Sequence, residues 1–461
     1  METAHLMHAI SLCHGRQRVA ATAILGLLLV GAGGTPAYAE SVRDQQWYLD
    51  AMKAEQMWQT STGKGITVAV IDTGVEPTVP DLKGQVLSGK DYADGEPGDE
   101  HTDYEGHGTG MAALIAGTGA YSGGQGSMGL APGANILPIR MPRAEAAANG
   151  ADASRRFNEA APKAIRYAVD EGAQVVNISM GHTSGSPQLT EAVKYAVGKG
   201  VLIFAAVGNS GDESNRPEYP AATPGVVGVG AVGKDLRKTA ESQHGPQVDM
   251  AAPGEDMVAA CMGGTGFCKS HGTSDATAIA SASAALIWSK HPTWTNNQVL
   301  RVMLNTIGAP TDGAKRNDSI GYGIVRPRIA LQNPGDPGPA DEYPLPDLAA
   351  AASASPSPEP STTDAADSPA KDEDAEETAS ETKDGNLLWN VVGGVAVACL
   401  GGVIAAFAIA RKRRAANATA PLPTATYMPP PGQPQYPAHR FPSSPHSPDN
   451  NVPPGRGLGP T

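Results

Sequence analysis

Cysteine is scarce: 461 residues contain 4, which rules out a scaffold held together by many disulfides. Cationic side chains are also in short supply. Against 47 Asp and Glu there are 34 Lys and Arg, for a formal net charge of -13. Phosphate binding needs Lys and Arg clustered on a folded face. No stretch offers such a face, so nucleic acid is excluded as a partner. No stretch has calcium-ligand spacing either, and the sequence assigns neither a metal nor a cofactor. Charge is absent altogether from two stretches, residues 19–30 and 387–410.

Those two stretches organise the chain's ends. Arg16 and Arg18 precede the first, and Ala37-Tyr38-Ala39 follows it as an A-x-A cleavage site, so residues 1–39 read as a secretory signal peptide. A membrane anchor is the alternative reading of that run. The second is long enough, at about 36 Å of helix, to cross a bilayer as a single transmembrane helix. Arg411-Lys412-Arg413-Arg414 follows it and places the C-terminal side in the cytoplasm. Gly394, Ala398, Gly402, Ala406 and Ala410 form a small-residue stripe within it, suited to close approach by other membrane components. Before the span, residues 334–386 are rich in Pro, Ala, Ser and acidic side chains and read as a disordered linker; residues 411–461 read as a Pro-rich disordered tail. The expected location is the cell membrane, single-pass, with the folded part outside.

This layout sorts the cysteines. Cys13 leaves with the signal and Cys399 lies in the span, leaving Cys261 and Cys268 in the exported part. An oxidising compartment favours their pairing, worth about 2.5 kcal/mol for so short a loop; two separate thiols are the alternative.

Between the ends, residues 40–65 are too short for a domain and should pack on the one that follows, residues 66–333. The β-branched run at 66–71 suits a buried parallel strand, with Asp72-Thr73-Gly74 at its C-terminal end. Gly106-His107-Gly108-Thr109-Gly110 opens a small-residue helix. Strand signals at 135–139, 175–180, 201–206 and 226–232 alternate with helical ones at 160–170 and 189–197, a βαβ pattern that predicts a parallel sheet between helix layers. Val207-Gly208-Asn209 follows one strand. Gly272-Thr273-Ser274 leads into an Ala/Ser helix with almost nothing large or charged, whose first-turn N–H groups favour negative charge developing near Ser274. Taken singly, each residue has a plain structural reading: Asp72 and Asn209 as turn residues, His107 as a structural histidine, Ser274 as an N-cap.

Taken together, Val70-Ile71-Asp72-Thr73-Gly74, Gly106-His107-Gly108-Thr109, Ala206-Val207-Gly208-Asn209 and Gly272-Thr273-Ser274, in that order, resemble the subtilase family of serine proteases. The resemblance implies a subtilisin-like three-layer α/β fold with a mostly parallel sheet. It also implies roles: Ser274 as nucleophile, His107 as general base then acid, Asp72 as the carboxylate that orients it, Asn209 as oxyanion donor. Ser179, Met180 and Gly181 would line the substrate cleft, with Ala206, Val207 and Gly208 in the first specificity pocket. Asp249-Met250-Ala251-Ala252-Pro253-Gly254 matches a structural stretch of the family.

Departures are visible too. Asp275 and Ala278 replace a large apolar residue and a proline after the serine, Gly110 replaces a second histidine, and residues 40–65 are too short for the usual folded propeptide. The whole layout is similar to the mycosins, membrane-anchored subtilases of type VII secretion systems, though a second cysteine pair is missing. The implied function is a membrane-anchored serine endopeptidase acting on exported proteins, with secretion components as further partners; the alternative is a mainly non-catalytic structural component of a secretion complex. With His107 as base, activity is expected to rise across roughly pH 6 to 7.5.

Overall fold

The structure is a computed structural model that describes residues 41–261 and 266–354. All of these fall in one compact unit of the chain, Met1–Pro360. The signal peptide, the span at 387–410 and the tail lie outside the described residues. Among the described residues no helix is long and apolar enough to cross a membrane.

Seven strands form one sheet: β1 (Thr67–Asp72), β2 (Lys90–Asp91), β3 (Asn135–Arg140), β4 (Val175–Ile178), β5 (Leu202–Ala206), β6 (Val227–Val232) and β7 (Met250–Pro253). Their order is β2-β3-β1-β4-β5-β6-β7, and every neighbouring pair is parallel. A separate antiparallel hairpin pairs β8 (Met257–Ala260) with β9 (Phe267–Ser270). The Cys261–Cys268 disulfide ties the hairpin's end, with the two Cα atoms 5.7 Å apart.

Strand alternation divides the core in two. Val68, Val70, Phe204 and Val229 face one layer of helices, while Ala69, Ile71, Val176 and Ile178 face the other. Helices Gly150–Asp170 and Pro187–Gly198 cover the second face. The first is covered by His107–Ala116 and by the central helix Thr273–Lys290. From Thr273 to Trp288 the central helix is buried at every residue but Ser274. Its Ala and Ser side chains let strands and neighbouring helices approach from all directions.

The chain leaves β1 towards β3 but leaves β4 towards β5, so β1 and β4 flank the point where strand order reverses. Crevices outside the carboxyl ends of strands at such a point are where open α/β sheets bind ligands.

The strand expected at 175–180 ends at Ile178, because Ser179 and Met180 turn out of the sheet into that crevice. The helix expected at 160–170 begins at Gly150, capped by Asn149, and holds Pro162 in its interior. The N-terminal extension forms short helices, among them Trp47–Met52 and Ala54–Trp58, and lies on the body. Tyr48 and Leu49 are fully buried. Gln46 is buried too, its amide nitrogen 2.9 and 3.1 Å from the carbonyls of Met128 and Val258 and its oxygen accepting from Met128 N–H.

The boundary of the expected disordered linker needs correction, since residues 334–354 are laid along the body. Arg301 donates to the carbonyls of Pro337, Pro339 and Glu342, and Gln298 to that of Gly338. Leu345 is buried, and the Asp347 carboxylate accepts from Gly225 N–H at 2.6 Å. Proline and alanine cannot build a core of their own. A pre-extended segment with free carbonyls nevertheless binds well to side-chain donors presented by a helix such as Asn296–Asn305.

A leucine at Ala282 would have to displace packed neighbours around the central helix, because this position is fully buried. Overpacking of this kind costs about 1–3 kcal/mol. Urea unfolding of Ala282→Leu should show a lowered midpoint with an unchanged slope, and an unchanged midpoint would mean the helix has slack.

Candidate active site

Asp72 is the last residue of β1 and is fully buried. Its Oδ1 lies 2.7 Å from His107 Nδ1 and accepts from Thr73 N–H at 2.8 Å, while Oδ2 has no protein partner. His107 is the first residue of its helix, and the helix start is pressed onto the strand end: a Cβ on Gly108 would collide with the Gly74 carbonyl and lie 3.0 Å from Asp72 Cβ. Gly74 itself has φ of 116°, which a side chain would strain.

Asp103, which the motif reading passed over, holds this junction together. Fully buried, it accepts from the backbone N–H groups of Glu105, Gly106 and Thr109 and from the Thr109 and Thr73 hydroxyls. It serves the first turn of the histidine helix as an N-terminal cap and ties it to the residue after Asp72. The available signal was an Asp a few residues ahead of an apolar helical run.

The bond to Asp72 puts the His107 proton on Nδ1 and leaves Nε2 as the acceptor in the neutral ring. Above all the negative charge of Asp72 pushes the His107 pKa up to about 9; burial opposes this, while the Asp72 hydrogen bond, Asp275 and Asp103 add to it. The base role expected of His107 requires the neutral ring, so on that expectation the raised pKa would shift the acid limb read as roughly pH 6 to 7.5 towards alkaline pH.

Ser274 stands in the first turn of the central helix, after Gly272 with φ of 138°. Its hydroxyl donates to the Ser179 carbonyl at 2.9 Å, and the Ser179 hydroxyl donates back to the Ser274 carbonyl at 3.1 Å. Asn177 donates to the Ser179 hydroxyl and accepts from Ser281, stitching β4 to the central helix inside the core. Asn209 is oriented by Thr273: its Oδ1 accepts from Thr273 N–H at 2.9 Å and from the hydroxyl at 3.0 Å. The amide NH2 is thereby the part left for a ligand in the cleft. Among the described residues no group of three or more His, Cys, Asp or Glu side chains could hold a metal ion.

Beside Ser274 and Asn209 opens a cavity of about 330 Å³. Ser179, Met180, Gly181, Ala206 and Gly208 line it, as does Glu218, which the motifs did not mark. Val207 does not. Strand alternation turns its side chain to the opposite layer, where it is fully buried in the core with Val248 and Ala221. Asp275 is buried next to Ser274 and accepts from the Ser270 hydroxyl at 2.5 Å. Burial raises its pKa to about 6, against the bond from Ser270 and the charge of His107.

Comparison with known proteins agrees with this arrangement. The profile described as the Subtilase family matches residues 63–323, more than half of the chain. The chain belongs to the subtilase family. This subtilase is 37% identical over 245 residues to the major intracellular serine protease of Bacillus subtilis (strain 168), covering 52% of this chain and 73% of the relative. Among solved structures it is similar to MycP1 from Mycobacterium smegmatis, at 28% identity and TM-score 0.55, covering 67% of this chain and 89% of that one. It is also similar to the MycP3 protease from the type VII (ESX-3) secretion system, at 32% identity and TM-score 0.54, covering 65% and 90%. These neighbours are mycosins, and the family membership makes the chain a serine-type endopeptidase.

Above pH 6 the Asp275 carboxylate carries its charge and helps to hold the proton on His107. Asp275→Asn keeps an acceptor for Ser270 but removes that charge, so the acid limb of the pH profile of kcat/KM should move to lower pH. A limb that stays in place would show that the charge does not reach the imidazole.

Proposed function

We propose that this subtilase cleaves peptide bonds of exported proteins, with Ser274 as nucleophile, His107 as general base and then acid, Asp72 as the orienting carboxylate and Asn209 as oxyanion donor. The observation that carries this reading is the 2.7 Å contact of Asp72 with His107 at the carboxyl end of β1, the strand beside β4, whose own end leads to Ser179, the hydrogen-bond partner of Ser274. Rotation of the Ser274 side chain away from the Ser179 carbonyl would present its hydroxyl to the imidazole. His107 then takes the proton as Oγ attacks the scissile carbonyl, and gives it to the leaving amine. Asp72 stabilises the imidazolium, and the Asn209 amide with the Ser274 N–H in the first turn of the central helix would stabilise the oxyanion.

The proposal extends to place. Residues 1–39 would direct export, residues 387–410 would anchor the chain, and the catalytic unit would lie outside the membrane with the tail in the cytoplasm. Two neighbours are named as proteases of type VII secretion systems, which supports work beside such a system on its exported proteins. A mainly structural role in a secretion complex is the second reading, favoured by the Ser274 hydroxyl resting on a backbone carbonyl.

Ser274→Ala should abolish peptide hydrolysis and fluorophosphonate labelling while leaving the unfolding midpoint within about 0.5 kcal/mol of the parent. Asn209→Ala should lower kcat by about 100- to 1000-fold. If secretion survives Ser274→Ala yet fails when the chain is deleted, the structural role prevails. Deletion of residues 387–410 should release the protein from the membrane fraction, and retention there would overturn the anchor.

A further inference from the structure

We propose that Glu218 makes the cleft selective for a lysine or arginine side chain at the residue whose carbonyl is attacked. This rests on the reading of Ser274 as nucleophile, because it is the cavity beside Ser274 that Glu218 lines.

The cavity is walled largely by backbone and small side chains, and Glu218 is the one ionisable residue in its lining. Its carboxyl group is set between the two walls. A Cβ placed on Gly208 would fall 2.7 Å from Oε1, and one on Gly181 would fall 3.2 Å from Oε2. Oε1 accepts from the amide of Gln243 at 3.0 Å, and that fully buried amide also donates to the Ser210 hydroxyl at 2.9 Å. The carboxylate is thus held in place by a neutral donor. Among the described residues no cation pairs with it.

A partly buried carboxylate without a counter-charge is costly, and burial accordingly raises the Glu218 pKa, with the Gln243 bond opposing. A cation entering the cavity offsets that cost. Lysine and arginine are suited to it because their aliphatic stems can lie along Met180 and Ala206 while the charged end reaches the carboxylate. A large apolar side chain would desolvate the carboxylate without compensation, and an acidic one would be repelled.

The test uses the full-length chain in detergent, with fluorophosphonate labelling of Ser274 as the first step. Peptides that differ only at the residue before the scissile bond, carrying Lys, Arg, Met, Leu or Glu, are then compared by kcat/KM. The parent should favour Lys and Arg over Met by about 10- to 100-fold. Glu218→Gln should lower the Lys and Arg values by a similar factor and leave Met within about threefold. Glu218→Ala serves as a second variant should the glutamine disturb Gln243. A labelled enzyme without a basic preference, or one whose preference survives both variants, overturns the proposal alone. A folded chain that neither labels nor cleaves overturns the protease reading and this proposal with it.

Discussion

A helix approached closely on every side favours small residues, and the central helix Thr273–Lys290 is made of Ala, Ser and Thr from Thr273 to Ala285 except at Asp275 and Ile279. Its polar side chains do not break the rule, because they are satisfied internally. Thr277 and Ser283 donate to carbonyls one turn back, and Ser281 donates to Asn177. The result is a rigid pedestal whose N-terminal turn emerges at the carboxyl ends of the strands. Ser274 therefore owes its position to core packing, with the hairpin and its disulfide leading the chain up to it.

The acidic side of the cleft follows a second constraint. Asp72, Asp103 and Asp275 are all buried near a single imidazole. Each needs donors or a cation. Asp103 takes backbone N–H groups and threonine hydroxyls, and Asp275 takes Ser270, so the charge that Asp72 leaves unsatisfied falls to His107. This division explains why the charge of Asp72 raises the His107 pKa.

The body is bracketed by chain from both ends. Gln46 spends both ends of its amide on backbone across 80 or more residues of sequence, and Arg301 gathers three carbonyls from a proline-rich strap. Neither segment could fold alone, but each finds unfilled hydrogen-bonding sites on a finished surface.

Five strands of the parallel sheet, β1 and β3 to β6, were legible in the linear order of residues, and the same order marked Asp72, His107, Asn209 and Ser274 as candidates. β-branched runs declare buried strands locally, and each motif sits where a strand or helix begins or ends. Whether Asp72 meets His107 was not legible, because it depends on the start of the histidine helix being pressed onto the end of β1 and on two glycines admitting it. The same holds for Glu218, brought to the pocket by a loop with no periodicity of its own, and for Val207, which strand alternation turns into the core. Residues 334–354 show the limit most plainly: composition reports what a segment can bury by itself, whereas its order here comes from donors presented by distant helices. Local propensity names the parts, and only long-range packing assigns their neighbours.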